Sequence, residues 1–185
     1  MRTFDVIANG LSPLMEDRFF GQETGTPQEK LYLSSKDGKT LIWPNANVMG
    51  FFASKSSVSV IRLGMMGEGR DKNAAVLMGS LAIEPTEIPI LSNGKPIVFE
   101  GTWTDQLYLD TRMARPSATA RVMVTRPVID VPWSMAFVLR VVETKDVTVE
   151  NVMTWLENGG LLVGFGAFRP LFGRFLVECT ERSAA

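Results

Sequence analysis

The feature that most constrains the fold is an amphipathic helix predicted over residues 148–158 between two apolar strands. Thr148 is a suitable N-cap, Glu150 suits the first turn, and the apolar side chains that follow recur on one face. A continuous apolar run over residues 133–142 predicts a central strand buried on both faces, and a last strand is predicted over residues 172–179. A helix of this kind buries its apolar stripe against a sheet.

The other predicted elements complete the order β-α-β-β-α-β. Residues 3–10 alternate weakly and predict the first strand, and a helix capped by Asn45 or Asn47 follows. Short strands are predicted over residues 81–83 and 88–91. With the long excursions left out, this order predicts an α+β fold of the ferredoxin-like (RRM-like) type.

The length of 185 residues suits one domain that carries insertions. We place these insertions around residues 14–40, 58–80 and 92–127. The parts over 14–30 and 58–80 are polar and glycine-rich, so we expect them to contact a neighbouring subunit rather than the core.

The composition excludes several kinds of chemistry. The sequence has no histidine and one cysteine, Cys179, which removes imidazole catalysis and nearly every zinc site. Mg²⁺ held by carboxylates is the metal chemistry that remains. We therefore expect no cofactor, no bound metal ion and no enzymatic activity.

The sequence shows no signal peptide and no apolar run of membrane length. One cysteine cannot form a disulfide within the chain, which suits a reducing compartment. We therefore expect a cytoplasmic protein with no membrane partner.

The strongest functional signal is the glycine- and arginine-rich segment before the last strand. Gly159 and Gly160 are expected to end the preceding helix. Glycines let a backbone approach a ligand and offer N–H groups to phosphates, while arginines and phenylalanines neutralise phosphates and stack on bases. An ordinary loop with core phenylalanines and surface arginines explains the composition equally well. The candidate residues here are Gly164, Phe165, Gly166, Phe168, Arg169, Phe172, Gly173 and Arg174.

The run Gly-x-Gly-x-x-Arg-Pro-x-x-Gly-Arg-Phe over residues 164–175 resembles the glycine-rich loop of the RAMP superfamily, the RNA-binding proteins of CRISPR effector complexes. Residues 42–50 lie where the backbone subunits of those complexes carry a turn leading into the first helix, with Asn45 in place of the usual glycine. The resemblance covers the first strand, residues 41–56 and residues 133–179. The chain looks like a minimal relative of the kind also found in phage genomes.

The resemblance implies a ferredoxin-like fold, a β-hairpin thumb and a bound guide RNA. It places the thumb near the basic segment 110–126, for which a solvated hairpin is the ordinary interpretation. A strand over residues 120–125 would turn its valines toward the core and leave Arg121 available to a ligand. The further candidate binding residues are Asn45, Asn47, Lys55, Arg112, Arg115 and Arg121.

Three functions remain open. The first is a subunit that binds single-stranded RNA or DNA and forms a head-to-tail oligomer, with other effector subunits as further partners. The second is a metal-dependent ribonuclease that uses Asp17 or Glu16, although an ordinary acidic loop is the simpler interpretation. The third is a phage structural, assembly or inhibitor protein that reuses the fold. Affinity that falls steeply with salt would separate the first function from the third.

Overall fold

The computed structural model describes residues 1–18, 25–54, 58–63, 70–114 and 121–183, with the backbone alone over 70–73. The chain is an α+β protein with mostly antiparallel sheets. Within the described ranges, every helix is too short or too polar to cross a membrane. The strands are β1 (Arg2–Gly10), β2 (Leu14–Met15), β3 (Ile42–Pro44), β4 (Leu81–Glu84), β5 (Glu87–Ser92), β6 (Lys95–Pro96), β7 (Leu107–Ala114), β8 (Val122–Ile129), β9 (Ser134–Val141) and β10 (Phe175–Glu181). The helices are α1 (Asn45–Ala53), α2 (Arg70–Ser80) and α3 (Val149–Leu162), with a short 3-10 helix at Gln28–Lys30.

The main sheet has the order β10-β1-β9-β5-β3, and β4 also pairs with β9. Strand β1 is antiparallel to both β9 and β10. Phe4, Val6 and Ala8 are buried on one face of β1, while Asp5 and Ile7 lie on the other, as the period of a strand requires. The helices α1 and α3 pack beside β4 and β10. The predictions of a first strand and of a central strand near residues 133–142 are confirmed. The expectation that this central strand is buried on both faces is wrong, because alternate residues of β9 such as Ala136 lie on the open face of the sheet.

The opposite face of the main sheet is open and carries several paired charges, and Ile7 and Leu176 are also exposed on it. Arg182 donates two hydrogen bonds to Asp5, at 2.6 and 2.9 Å. Asn9 donates to Glu178 at 2.8 Å, and Arg140 pairs with a glutamate of β4 at 3.1 Å. Across β1, β9 and β10 this face carries no aromatic ring.

A second sheet has the order β2-β8-β7 and consists mainly of a long hairpin. The base of the hairpin is buried in the core at Leu107 and Ile129. The half near Ala114 and Val122 is more exposed. The strand predicted over 120–125 in fact runs from Val122 to Ile129, and residues 110–114 of the basic segment belong to strand β7. The expectation that the valines turn toward the core is wrong for Val122, which is 43% exposed because nothing described covers this half of the hairpin.

The first two helices differ from their predictions. Strand β3 leads directly into α1, where Pro44 is the N-cap and no side chain caps the helix, so the predicted asparagine cap is wrong. Helix α2 occupies the second half of the excursion predicted at 58–80. Val60 and Leu77 of that excursion are fully buried, as is Leu14 of the other supposed contact segment. The described parts of these two segments therefore contribute to the core, which corrects the expectation that they stay outside it.

Helix α3 begins as predicted, because the Thr148 hydroxyl accepts a hydrogen bond from the N–H of Asn151. It does not end at Gly159 and Gly160 but continues to Leu162. A Cβ at Gly159 would lie 2.5 Å from the Phe51 ring, and one at Gly160 would lie 2.6 Å from the Phe175 carbonyl. These two glycines therefore do not terminate the helix. They lie within it and allow Phe51 and Phe175 to pack closely against it.

Candidate functional site

Residues 163–174, which we call the glycine loop, run from α3 to β10 and are tied to the segment after β1. The N–H of Gly173 donates to the Pro13 carbonyl at 2.8 Å, and the N–H of Ala167 donates to the Met15 carbonyl at 2.9 Å. Within the loop, the N–H of Phe165 donates to the Gly173 carbonyl at 2.8 Å. These three N–H groups are used inside the protein, so they are not available to phosphates.

The three loop glycines are required by packing. Gly164, Gly166 and Gly173 have φ of +75°, +83° and +73°, the left-handed region that favours glycine. A Cβ on Gly166 would collide with the Met15 carbonyl, and one on Gly173 would collide with the Phe165 carbonyl. The close approach that these glycines permit is between two stretches of this chain.

Two of the phenylalanines expected to stack on bases are core residues. Phe165 is 1% exposed and stacks on Phe175, with the ring centroids 4.3 Å apart. Phe172 is also buried, in a small cluster with Met15 and Val128. This burial corrects the expectation for both rings, because a base cannot stack on a face that the core already covers.

Phe168 lies beside two arginines of the hairpin. It adopts a φ of +53°, a left-handed conformation that is unusual for a bulky residue. The guanidinium carbons of Arg112 and Arg126 lie 5.4 and 5.1 Å from its ring centroid, which is cation–π range. Arg112 also lies 4.5 Å from the ring centroid of Phe172. The strained backbone of Phe168 thus holds its ring at the junction of the hairpin and the glycine loop.

Each of these arginines also has a carboxylate partner. Arg112 donates to both oxygens of Asp110 at 2.5 and 2.6 Å, and these bonds hold the pKa of Asp110 below its usual value. The Nε of Arg126 lies 2.7 Å from Oδ2 of Asp17. The hairpin therefore presents paired charges to the glycine loop rather than two unopposed cations.

A cavity of about 510 Å³ lies between the glycine loop and α1. One wall is the stretch of α1 with small side chains at Ala46, Gly50 and Ser54, one turn apart. Four aromatic rings contribute to the rest of the lining, and the polar side chains of Asp17, Asn47 and Arg169 line the same space. The remaining lining residues are Asp17, Tyr32, Trp43, Asn47, Val58, Phe165, Gly166, Ala167, Phe168 and Arg169.

Partial burial shifts the pKa values of two polar groups that line the cavity. Burial raises the pKa of the Tyr32 hydroxyl, and a hydrogen bond with Asn47 opposes that rise. Burial also lowers the pKa of the Arg169 guanidinium. Arg169 is half-buried, so its charge acts in a less polar medium than bulk water.

The cavity brings together part of the predicted site. Asn47, Phe165, Gly166, Phe168 and Arg169 line it, and Arg112 contacts Phe168 from β7. The other predicted residues lie elsewhere or outside the described ranges. Asn45 donates its amide to the Ile83 carbonyl at 2.9 Å, Arg121 and Arg174 are exposed, Gly164 and Gly173 serve packing, and Lys55 and Arg115 lie outside the described residues.

Sequence reasoning missed Tyr32, Trp43 and Arg126 as parts of this site. Trp43 is assigned to the core from its sequence, and it is indeed 4% exposed although it lines the cavity. The sequence signal for Arg126 was its position in the basic segment 110–126. Tyr32 carries no local signal at all, because only the tertiary fold brings it to α1.

Glu16 is not the residue of an ordinary acidic loop. It is fully buried, and its Oε2 accepts the N–H of Tyr32 at 2.9 Å. Burial raises its pKa to about 8, so the carboxyl group is mostly protonated at neutral pH. The nearby Lys30 is also buried and donates to the Thr125 carbonyl at 2.7 Å. Across the described ranges, no group of three or more acidic or cysteine side chains is placed to hold a metal ion.

The sequence matches no protein-family model and no curated protein. The RAMP resemblance therefore rests on the two sequence motifs. Function has to be argued from the site itself.

Proposed function

We propose that this chain is a RAMP-like subunit that binds single-stranded RNA through the cavity and the surface around it. The proposed fold is ferredoxin-like, with the hairpin β7–β8 as the thumb. The neighbours of β1 support this assignment. It lies between β10 and β9, and β4 follows on the far side of β9, which is the order expected for such a core.

The observation that carries the proposal is that both sequence motifs line one cavity. The turn into α1 contributes Trp43 and Asn47, and the glycine loop contributes Phe168 and Arg169. These segments are far apart in the chain and share no sequence feature that would bring them together. A concave site with aromatic walls and a few convergent polar groups is the usual form of a ligand site.

The open face of the main sheet is a poorer candidate. RRM-type sheets bind RNA by stacking bases on exposed aromatic rings. Here the described face has none across β1, β9 and β10, and it carries the carboxylates of Asp5 and Glu178. We therefore place RNA at the glycine loop and α1, on another side of the molecule.

Replacing both Arg169 and Arg174 with alanine is expected to weaken RNA binding without unfolding the chain. Arg169 lines the cavity and Arg174 is exposed at the end of the glycine loop. If each contacts one phosphate of a single strand, the slope of log affinity against log salt should become shallower by about 1.4. Fluorescence anisotropy with labelled oligouridylate over a salt series measures this slope.

The matched control for this double variant is Arg182→Ala. Arg182 is an exposed arginine paired with Asp5 on the open sheet face, so its loss should leave the slope unchanged. A double variant that folds and binds like the native chain would contradict the site assignment. Native protein that binds no strand at any salt concentration would contradict the proposed function and favour the phage assembly or inhibitor alternative.

We further propose that several copies assemble head to tail along one strand. A single RRM-like domain stacks only two or three bases, so useful affinity requires many contacts or many copies. The outer face of the hairpin offers apolar surface for a second copy. Leu109, Met113 and Met123 on that face are 39%, 53% and 64% exposed.

The double variant Met113→Ser and Met123→Ser is expected to bind a short strand normally but to lose cooperative assembly on long strands. The two side chains form a cross-strand pair on the face away from Phe168, so the change removes apolar contact area and leaves the cavity intact. Light scattering with strands of increasing length would show one protein per strand for the variant and a growing number for the native chain. Identical growth for both proteins would exclude this surface.

We propose no catalytic step. Glu16 is buried in its neutral form, and Asp17 is paired with Arg126. A two-metal nuclease needs a cluster of carboxylates, and the described residues include no group of three or more acidic side chains placed to hold a metal ion.

A further inference from the structure

Asp17 is the feature of the cavity that phosphate binding does not explain. Its side chain is 34% exposed and lines the cavity, although a carboxylate repels the phosphates of a strand. Arg126 lies beside Oδ2 as an ion-pair partner, and a carboxylate has about four acceptor positions, so Asp17 can accept hydrogen bonds from a ligand. The part of a ligand that meets Asp17 must therefore carry donors. In RNA the donors are the ribose 2′-hydroxyl, which every nucleotide shares, and the base edges, which differ between nucleotides and can be selected.

The walls of the cavity suit a flat ring. Tyr32 and Trp43 meet edge to face with centroids 5.7 Å apart, and Phe168 forms the wall nearest the hairpin. Across from them, Ala46 and Gly50 leave space beside α1. Ligand cavities of small molecules span about 300–1,000 Å³, and the 510 Å³ here is ample for one base with part of its ribose.

We infer that the cavity takes one unstacked guanine base of the bound strand and that Asp17 selects it. Guanine carries two adjacent donors, N1–H and the N2 amino group, which match the acceptors of a carboxylate. Adenine and cytosine place an acceptor nitrogen beside their single amino group, and uracil places carbonyl oxygens on both sides of its N3–H, so each of them meets the carboxylate with repulsion. This inference rests on the proposed function, because it supposes that an RNA strand is bound at the cavity.

The test compares strands that differ at one base. Fluorescence anisotropy is measured with an oligoadenylate of about 12 nucleotides, with the same strand carrying one central guanosine, and with one carrying inosine, which lacks the N2 amino group. One bidentate contact should make the guanosine strand at least about fivefold tighter than the adenosine strand, with inosine between them. Asp17→Asn should remove this preference and bind the adenosine strand as well as before or better, because the negative charge is gone.

Three results would overturn the inference. The first is native protein that binds the adenosine and guanosine strands equally, which leaves the proposed function standing. The second is an Asp17→Asn variant that keeps the preference. The third is a variant that loses affinity for both strands by the same factor, which would assign Asp17 to positioning Arg126. Melting curves of native and variant protein establish that each is folded. Failure of the proposed function is a different result, in which the native protein binds neither strand.

Discussion

The Glu16→Gln variant is expected to have a free energy of unfolding that hardly changes with pH, whereas the native chain should lose about 3–5 kcal/mol between about pH 4.5 and pH 8. Glu16 is fully buried, its pKa is raised from 4.5 to about 8, and its Oε1 has no hydrogen-bond partner among the described residues. In this range the folded state holds a proton that the unfolded state has released. Raising the pH therefore favours unfolding until the folded group also ionises near pH 8, after which the loss levels off.

Urea unfolding at a series of pH values measures this difference. Glutamine keeps an oxygen to accept the Tyr32 N–H and carries no charge at any pH, so its curve should be nearly flat over this range. Glu157, exposed on α3, provides the control, because Glu157→Gln should follow the native curve. Parallel curves for native protein and the Glu16→Gln variant would show that Glu16 ionises in the folded state as it does in water.

Gly173→Ala is expected to destabilise the fold by about 3 kcal/mol or more, enough to leave much of the protein unfolded at moderate temperature. Gly173 has a φ of +73°, and a Cβ there would collide with the Phe165 carbonyl, which is backbone and cannot rotate away. Relief of the collision requires the backbone around Gly173 to move away from the backbone around Phe165. Their separation would break the hydrogen bond from Phe165 to the Gly173 carbonyl.

Gly38→Ala separates the two causes of that loss. Gly38 has a φ of +66°, but no described atom lies within 4 Å of the position that an alanine methyl group would take. Only the cost of a left-handed alanine therefore remains, about 1 kcal/mol. Thermal or urea unfolding of both variants gives the difference. Equal losses would mean that the glycine loop opens easily to accept a side chain, and that its close packing contributes little to the fold.

The elements with strong local patterns were predictable, and those fixed by distant contacts were not. Strand β9 and the start of α3 follow from apolar periodicity and from the Thr148 cap. Helix α2 opens with a polar sequence, so its apolar residues gave no clear face. Strand β8 contains Pro127, a residue that normally argues against a strand interior, and the predicted strand stopped before it.

The residues of the candidate site also fall into those that the sequence predicts and those that only distant contacts bring together. Asn47, Phe168 and Arg169 were identifiable because they lie within two recognisable motifs. The pairing of Asp17 with Arg126 depends on the register of β2 against β8, which the short Leu14–Met15 strand does not reveal in the sequence. Burial of Glu16 was unpredictable for the same reason, because its surroundings come from distant parts of the chain.

The short segment around Met15 joins the glycine loop to the hairpin mechanically. The Met15 carbonyl accepts from Ala167 of the loop, while the next residue donates its N–H to the Pro127 carbonyl of β8 at 3.0 Å. A force on the hairpin, such as a second copy seated on its outer face, is thus transmitted through one peptide unit to the wall of the cavity. By linkage, a ligand in the cavity would then bias the angle of the hairpin to the same extent that the hairpin biases the affinity of the cavity.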